Sequence, residues 1–313
     1  MDALVALVSG TPPSAFCQTF FLISAAAVLS LNLLPKDARG TVMDYGARRP
    51  DAAQKSDANG RQQTSLASIL DQVTSYGQIP HSWFWHFYCL STTLSAFWAW
   101  QYLEQGSVIA SMVERQASMS QGPSVELGRV ALAWAMMASQ GSRRLFECFF
   151  VSKPGKTPMW FVHWALALLF YTAMSVAIWV EGCGAIRESW QSPRTAMLLT
   201  PGVLLTLAVF IATWLKQNEC HRYLASLKKY TLPNEGMFKY IICPHYTCEC
   251  VLYLAISFMA APPGSIFNKT LLCGLAFVVV NLGATAFGTK QWYAEKFGIE
   301  GVVGKWRMIP GIF

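Results

Sequence analysis

The sequence predicts an all-α fold, a polytopic membrane protein with seven transmembrane helices. Three observations carry that expectation. Of 313 residues, 53% are hydrophobic. Only 13% are charged, about half the roughly 25% of an ordinary soluble domain. Seven apolar runs are each long enough to cross, or nearly cross, a hydrocarbon core ~30 Å thick, for which about 20 helical residues are needed.

The first run, 17–34, lacks a basic stretch before it and a small-residue cleavage site after it, so it reads as a helix rather than a signal peptide. Residues 44–78, rich in Asp, Gln, Ser and Ala, are expected to form a mobile loop without a core. The second run is 82–103. The third, 125–150, is the weakest, because Glu126, Arg129, Arg143, Arg144 and Glu147 interrupt its ends. The fourth is 158–180. In the fifth, 196–216, Pro201 and Gly202 predict a kink. The sixth and seventh are 245–262 and 266–287.

Nineteen of the 24 Lys and Arg residues fall in segments 35–81, 143–157 and 216–244 and after 287, all on one side of these spans. The positive-inside rule makes that side, with the C-terminus, cytosolic. The same cations would also suit an anionic ligand, and the count does not separate the two. The sequon Asn268-Lys269-Thr270 falls on the opposite side, hard against the seventh span. The nine cysteines are odd in number and irregularly spaced, which argues against a disulfide framework.

Ionisable groups near membrane spans are costly and mark function. Here they gather at the cytosolic ends. Glu147 stands i+4 from Arg143 and i+3 from Arg144, which suits a structural ion pair; two adjacent arginines also leave one to meet an anion. Gln217, His221 and Lys228 lie along one stripe of a helix leaving the membrane, either a solvated face or a binding face. The stretch Pro244-His245-Tyr246-Thr247-Cys248-Glu249-Cys250 resembles a metal site in composition only. Cys248 and Cys250 point about 200° apart on a helix, and no second ligand pair joins His245 and Glu249, so no metal is expected. Asn281, within the seventh span, needs a hydrogen-bond partner and could pin a neighbouring helix. The tail holds Lys290, Tyr293, Lys296, Lys305 and Arg307, for which a basic membrane-surface segment is the plain reading.

An ordered series of motifs resembles the steroid 5-alpha-reductase family: Gln217-x-x-x-His221, Tyr230-Thr-Leu-Pro233, Pro244-His245-Tyr246-x-x-Glu249, Asn281, Trp292-Tyr293-x-x-Lys296-Phe297 and Ile309-Pro-x-Ile-Phe313. Upstream, Asp44-Tyr45-Gly46, Ile79-Pro80-x-x-Trp83-Phe84-x-His86-Phe87-Tyr88 and Arg143-Arg144-Leu145-Phe146-Glu147-Cys148 look like its polyprenol reductase branch. The resemblance covers about residues 44–313. It implies an endoplasmic-reticulum enzyme that uses NADPH to saturate the alpha-isoprene unit of a polyprenal, or polyprenol, on the way to dolichol for N-glycosylation. Residues 1–180 would bind the lipid substrate and 181–313 the cofactor.

The resemblance places cofactor contacts on Arg143, Arg144, Gln217, His221, Lys228, Tyr230, His245, Glu249, Asn281, Tyr293 and Lys305. Lys290 stands where the branch often has histidine. The family's steroid enzymes use a glutamate and a tyrosine whose positions resemble Gln78 and Gly141 here, and neither can donate a proton in the same way. His86, Tyr88 and Glu147 are therefore the candidate catalytic acids, with a buried structural role equally open to His86. Partners implied are a long-chain polyprenoid and membrane lipids, with no nucleic acid and no obligate protein partner. A steroid or enoyl-CoA substrate is the rival within the family. A seven-span transporter fits less well, since the polar groups cluster at one face and no repeat is evident.

Overall fold

The computed structural model describes residues 10–43, 65–120, 122–153, 158–192, 199–228 and 230–313. Asp44-Tyr45-Gly46 and the expected loop as far as residue 64 lie outside them. Among the described residues the chain is almost entirely helical. In order come α1 (Pro13–Ser30), α2 (Lys36–Met43), α3 (Ser65–Ser75), α4 (Trp85–Leu103), α5 (Ser107–Met119), α6 (Leu127–Phe150), α7 (Phe161–Val180), α8 (Cys183–Gln191), α9 (Pro201–Ser226), α10 (Pro244–Met259) and α11 (Lys269–Phe297).

Each of the seven apolar runs coincides with one helix. Three of those helices, at Pro13–Leu33, Phe161–Val180 and Lys269–Phe297, are long and apolar enough to cross a membrane. The others fall short, two of them for identifiable reasons: α6 carries Arg129, Arg143, Arg144 and Glu147, and α10 has only 16 residues, about 24 Å of helix.

Three local expectations are corrected. Residues 65–75 form a helix rather than loop, because Leu66, Ile69, Leu70 and Val73 recur at helical spacing. The end of that segment pairs as a short antiparallel ladder, Gln78 opposite Trp160 and Ile79 opposite Met159. Pro201 starts α9 instead of kinking it: it occupies the first turn, where its missing N–H costs nothing, and Thr200 caps it by accepting from Val203 N at 3.3 Å.

One hydrophobic core spans both halves of the chain, joining Phe21 of α1 to Met174 of α7, Leu252 of α10 and Phe277 of α11. The substrate and cofactor halves expected from the resemblance therefore share a core. The sequon is sealed into it. Asn268 is fully buried as the N-cap of α11. It accepts from Leu271 N and donates to the Ala260 carbonyl, both at 3.0 Å. Thr270 is equally buried, its hydroxyl bonded to Gln18 Nε2 at 2.9 Å and to Glu181.

The tail folds back on the protein instead of lying loose. Ile242 N donates to the Trp306 carbonyl at 2.8 Å and Cys243 N to that of Arg307 at 3.0 Å. A second small core of Ile242, Cys243, Ala286, Val302 and Met308 closes beneath it. Arg307 lies over the rings of Phe287 and Phe313, 4.8 Å from each centroid. This packing anchors the N-terminus of α10, and hence His245 and Glu249.

Candidate active site

Four helices bring their polar residues to one buried cluster: α4 contributes Tyr88; α6 contributes Gln140, Arg143, Arg144 and Glu147; α9 contributes Gln217, Asn218 and His221; α10 contributes His245 and Glu249. The register of α4 on α6 sets the first contact. Gly141 lets the helices approach so closely that a Cβ there would stand 2.8 Å from Ser91 Oγ. One helical turn away on each helix, Tyr88 meets Arg144.

Glu147 is the anchor, with 0% exposure. One carboxylate oxygen accepts from Arg144 Nη1 and from His221 Nδ1 at 2.7 Å, and the other from Asn218 Nδ2 at 2.6 Å. His221 Nδ1 is also 2.8 Å from Arg144 Nη1. A protonated Nδ1 donates to the carboxylate, the stronger acceptor, so the approach to the guanidinium is a consequence of both groups sharing Glu147. Arg144 completes its fork by donating Nη2–H to the Tyr88 hydroxyl at 3.0 Å, its Cζ 4.8 Å from the centre of that ring.

Gln217 is the second hub, 1% exposed. Its carbonyl oxygen accepts from Gln140 Nε2 at 2.9 Å and from Arg143. Its amide donates to the His245 backbone carbonyl at 3.2 Å and to Glu249. Gln140 also donates to Glu249 at 3.0 Å and accepts from Arg143 at 2.7 Å. Arg143 reaches further to the Trp214 carbonyl and lies over the Trp214 ring at 4.7 Å. Burying these groups is tolerable only because nearly every donor and acceptor is matched.

A model of the family described as 3-oxo-5-alpha-steroid 4-dehydrogenase matches residues 157–313. That is half of the chain, and it takes in α9, α10 and the folded tail. The chain belongs to the 3-oxo-5-alpha-steroid 4-dehydrogenase family. Its relatives include the polyprenal reductase of Xenopus tropicalis, 27% identical over 282 residues, covering 79% of this chain and 89% of that protein. The polyprenal reductase of Drosophila melanogaster is 26% identical over 278 residues, 79% and 80% of the two chains. That of Saccharomyces cerevisiae is 25% identical over 253 residues, 80% and 81%. The chain is thus an oxidoreductase acting on a C=C bond.

Within this family member, the structure separates candidates that the sequence grouped together. His86 and Tyr88 stand two residues apart and point to different sides of α4. His86 sits among Trp83, Trp85 and Trp164, accepting from Trp164 Nε1 at 3.2 Å through Nδ1, away from the Arg144 cluster. Glu147, the third candidate acid, has its oxygens occupied by Arg144, His221 and Asn218, and holds the arginine in place rather than reaching a ligand. The expectation of a spare arginine is corrected too: Arg143 and Arg144 are both committed to protein acceptors. Gln78 is turned back onto the Thr74 carbonyl.

The remaining candidates lie outside the cluster's hydrogen bonds. Lys228 and Tyr230 are exposed, and Lys296 Nζ sits 4.4 Å from the centre of the Tyr230 ring. Asn281 does not pin another helix through its amide among the described residues; its backbone carbonyl accepts from Thr285 Oγ1 at 3.1 Å. Tyr293 packs with Trp292 and Phe297 over the second core. Lys305 is turned inward to Asn234 Oδ1 at 2.9 Å and the Phe238 carbonyl at 3.0 Å, stapling the tail to the loop before α10. Burial lowers the pKa of its ammonium below the usual lysine range. Lys290 similarly donates to the Lys305 carbonyl. Sequence reasoning missed Gln140 and Asn218. Gln140 carried a signal, since Gln140, Arg144 and Glu147 stand at i, i+4 and i+7 on one face of α6.

Proposed function

We propose that this protein is an NADPH-dependent membrane reductase that saturates the alpha-isoprene C=C of a long-chain polyprenal, in the formation of dolichol for N-glycosylation. Its setting is the endoplasmic-reticulum membrane, with seven spans and a cytosolic C-terminus. The observation that carries the reading is the Tyr88–Arg144 contact. Because the Tyr88 oxygen accepts from Arg144, its own hydrogen remains available for a carbonyl oxygen. A phenol held this way, buried and backed by a fixed cation, is suited to an enal, whose carbonyl oxygen gains negative charge as the C=C is reduced.

The residues present fit a nicotinamide cofactor in its neutral part. Buried Gln140 and Gln217 with half-buried Glu249 and His245 form a wall of amide, carboxylate and imidazole groups, and the buried Nδ1 of His245 has no partner among the described residues. These groups would hold the carboxamide and ribose, with Asn281 and Tyr293 on α11. The phosphates require cations that the protein has not already paired, which favours exposed Lys228 at the rim over Arg143. When bound, the cofactor supplies hydride to the beta carbon. Tyr88 polarises the carbonyl oxygen and donates toward it. Arg144 stabilises the charge left on the Tyr88 oxygen, while Glu147 and His221 fix the guanidinium. The relatives named polyprenal reductases favour this substrate over a steroid.

The test offers purified protein NADPH with polyprenal, polyprenol and a 3-oxo-4-ene steroid in parallel, and follows saturated product by mass spectrometry. Product from polyprenal alone supports the reading. Turnover of the steroid in preference, or of none, refutes it.

A further inference from the structure

Arg39 of α2 and Arg307 of the tail meet around one ring of α11. Their guanidinium carbons lie 5.5 and 4.8 Å from the centre of Phe287. The two cations therefore stand within about 10 Å of each other, roughly one Debye length at 0.1 M salt. Lys290 follows Phe287 by three residues and shares its helix face. Its ammonium donates to the Lys305 carbonyl, two residues before Arg307, and keeps two further hydrogens. Arg115, Arg129, Arg143, Arg144 and Arg222 each donate to a protein oxygen. Arg39 and Arg307 do not. Among the described residues their guanidiniums contact rings only, and the ion pairs belong to other side chains. Three half-buried cations are thus gathered from three segments without a counter-charge, an arrangement that like-charge repulsion opposes until an anion joins it.

The cluster sits at headgroup depth. The membrane-length helix Pro13–Leu33 ends in a leucine that is 87% exposed, and Arg39 follows six residues later. In the tail, Val303, Trp306 and Ile312 are exposed on either side of Arg307. Bare apolar side chains next to unpaired cations match the boundary between acyl chains and lipid phosphates. Asn281 and Tyr293, the α11 residues given to the cofactor in the function proposed above, are each six residues from Phe287. Both therefore lie about 120° round the helix from it, so the Phe287 face is turned away from the cofactor face.

We propose that Arg39, Lys290 and Arg307 bind the phosphate of an anionic membrane lipid, tying α2 and the folded tail to α11. The site takes the cytosolic placement of this end from the function proposed above, and takes nothing from the identity of the substrate. The cytosolic leaflet carries the anionic lipids. A phosphate accepts from planar guanidinium forks and from an ammonium together, and the N–H groups of both arginines are uncommitted. Because the tail holds the start of α10, filling the site should also stabilise the fold.

The experiment uses the full chain in a neutral detergent. Lipid retention is measured by native mass spectrometry with dioleoyl phosphatidic acid or dioleoyl phosphatidylcholine, and the thermal midpoint is followed with each lipid, with inorganic phosphate and with NADPH. The expected result is that phosphatidic acid is retained and raises the midpoint, whereas phosphatidylcholine does neither. Arg39→Gln and Arg307→Gln should each weaken retention about tenfold or more, the loss of one charge-assisted contact. Arg39→Lys should recover most of it, and Arg187→Gln, on exposed α8, should match the parent. If Arg307→Gln loosens the tail, Arg39→Gln decides the question. Equal retention by Arg39→Gln and the parent, or equal retention of the two lipids, overturns the proposal. An Arg39-dependent rise with inorganic phosphate alone assigns a soluble anion instead, and weaker NADPH binding in Arg39→Gln assigns the cations to the cofactor; either result overturns the lipid site. Retention is read without turnover, so failure to reduce polyprenal would refute the assigned substrate and leave this site standing.

Discussion

Replacing Tyr88 with phenylalanine removes one oxygen and leaves the ring beneath Arg144, 4.8 Å from the guanidinium carbon. The cation–ring contact and the packing against Tyr171, with ring centres 5.7 Å apart, should survive. The loss is confined to the Arg144–Tyr88 hydrogen bond and to the proton that Tyr88 offers a carbonyl. A positioned general acid contributes about 100- to 10,000-fold, so kcat should fall by that factor, or roughly 3–5 kcal/mol in the barrier. Binding should change little, because the phenylalanine ring would occupy the same space. The contrasting variant is His86→Ala, which removes a ring outside the cluster and should leave kcat within a few-fold of the parent. Both are read by NADPH oxidation and by saturated product from polyprenal, at saturating and limiting substrate. Retention of most of kcat in Tyr88→Phe, with a hundredfold loss in His86→Ala, would refute the assignment of the acid to Tyr88.

Glu147→Gln leaves Arg144 buried without its counter-charge, and breaking a buried pair costs about 3–5 kcal/mol; chemical unfolding in detergent should show a loss of that size together with loss of activity. Gly141→Ala drives a methyl to 2.8 Å from Ser91 Oγ, and overpacking of this kind costs about 1–3 kcal/mol. Adding Ser91→Gly should restore both stability and rate, which a contact elsewhere in the fold would not do. Asn268→Ala removes the N-cap of α11, worth about 1–2 kcal/mol, and should lower the thermal midpoint. Because Asn268 is fully buried, glycosidase treatment of the parent protein should leave its electrophoretic mobility unchanged.

Much of the site was visible in the sequence as spacing. Gln217 with His221, His245 with Glu249, and Arg143 with Glu147 all stand at i, i+4, so each pair shares a helix face whatever the tertiary arrangement. The same periodicity excluded a metal at Cys248 and Cys250. Spacing within one helix does not say which faces meet. Arg143 appeared available for an anion because two of its acceptors, Gln217 and the Trp214 carbonyl, lie on α9, far along the chain. Composition misled at residues 65–75, where a polar segment concealed an apolar stripe.

The sequence by itself determined where the apolar helices lie, the polar cluster at their ends, and the family motifs, because burial and helical period act over a few neighbouring residues. Only the tertiary structure decided that Tyr88 and not His86 meets Arg144, that Glu147 is an anchor, and that Lys305 is a staple. Those outcomes depend on how helices cross. A single close approach, at Gly141 against Ser91, sets which residues of α4 face α6, and local sequence carries no record of that crossing.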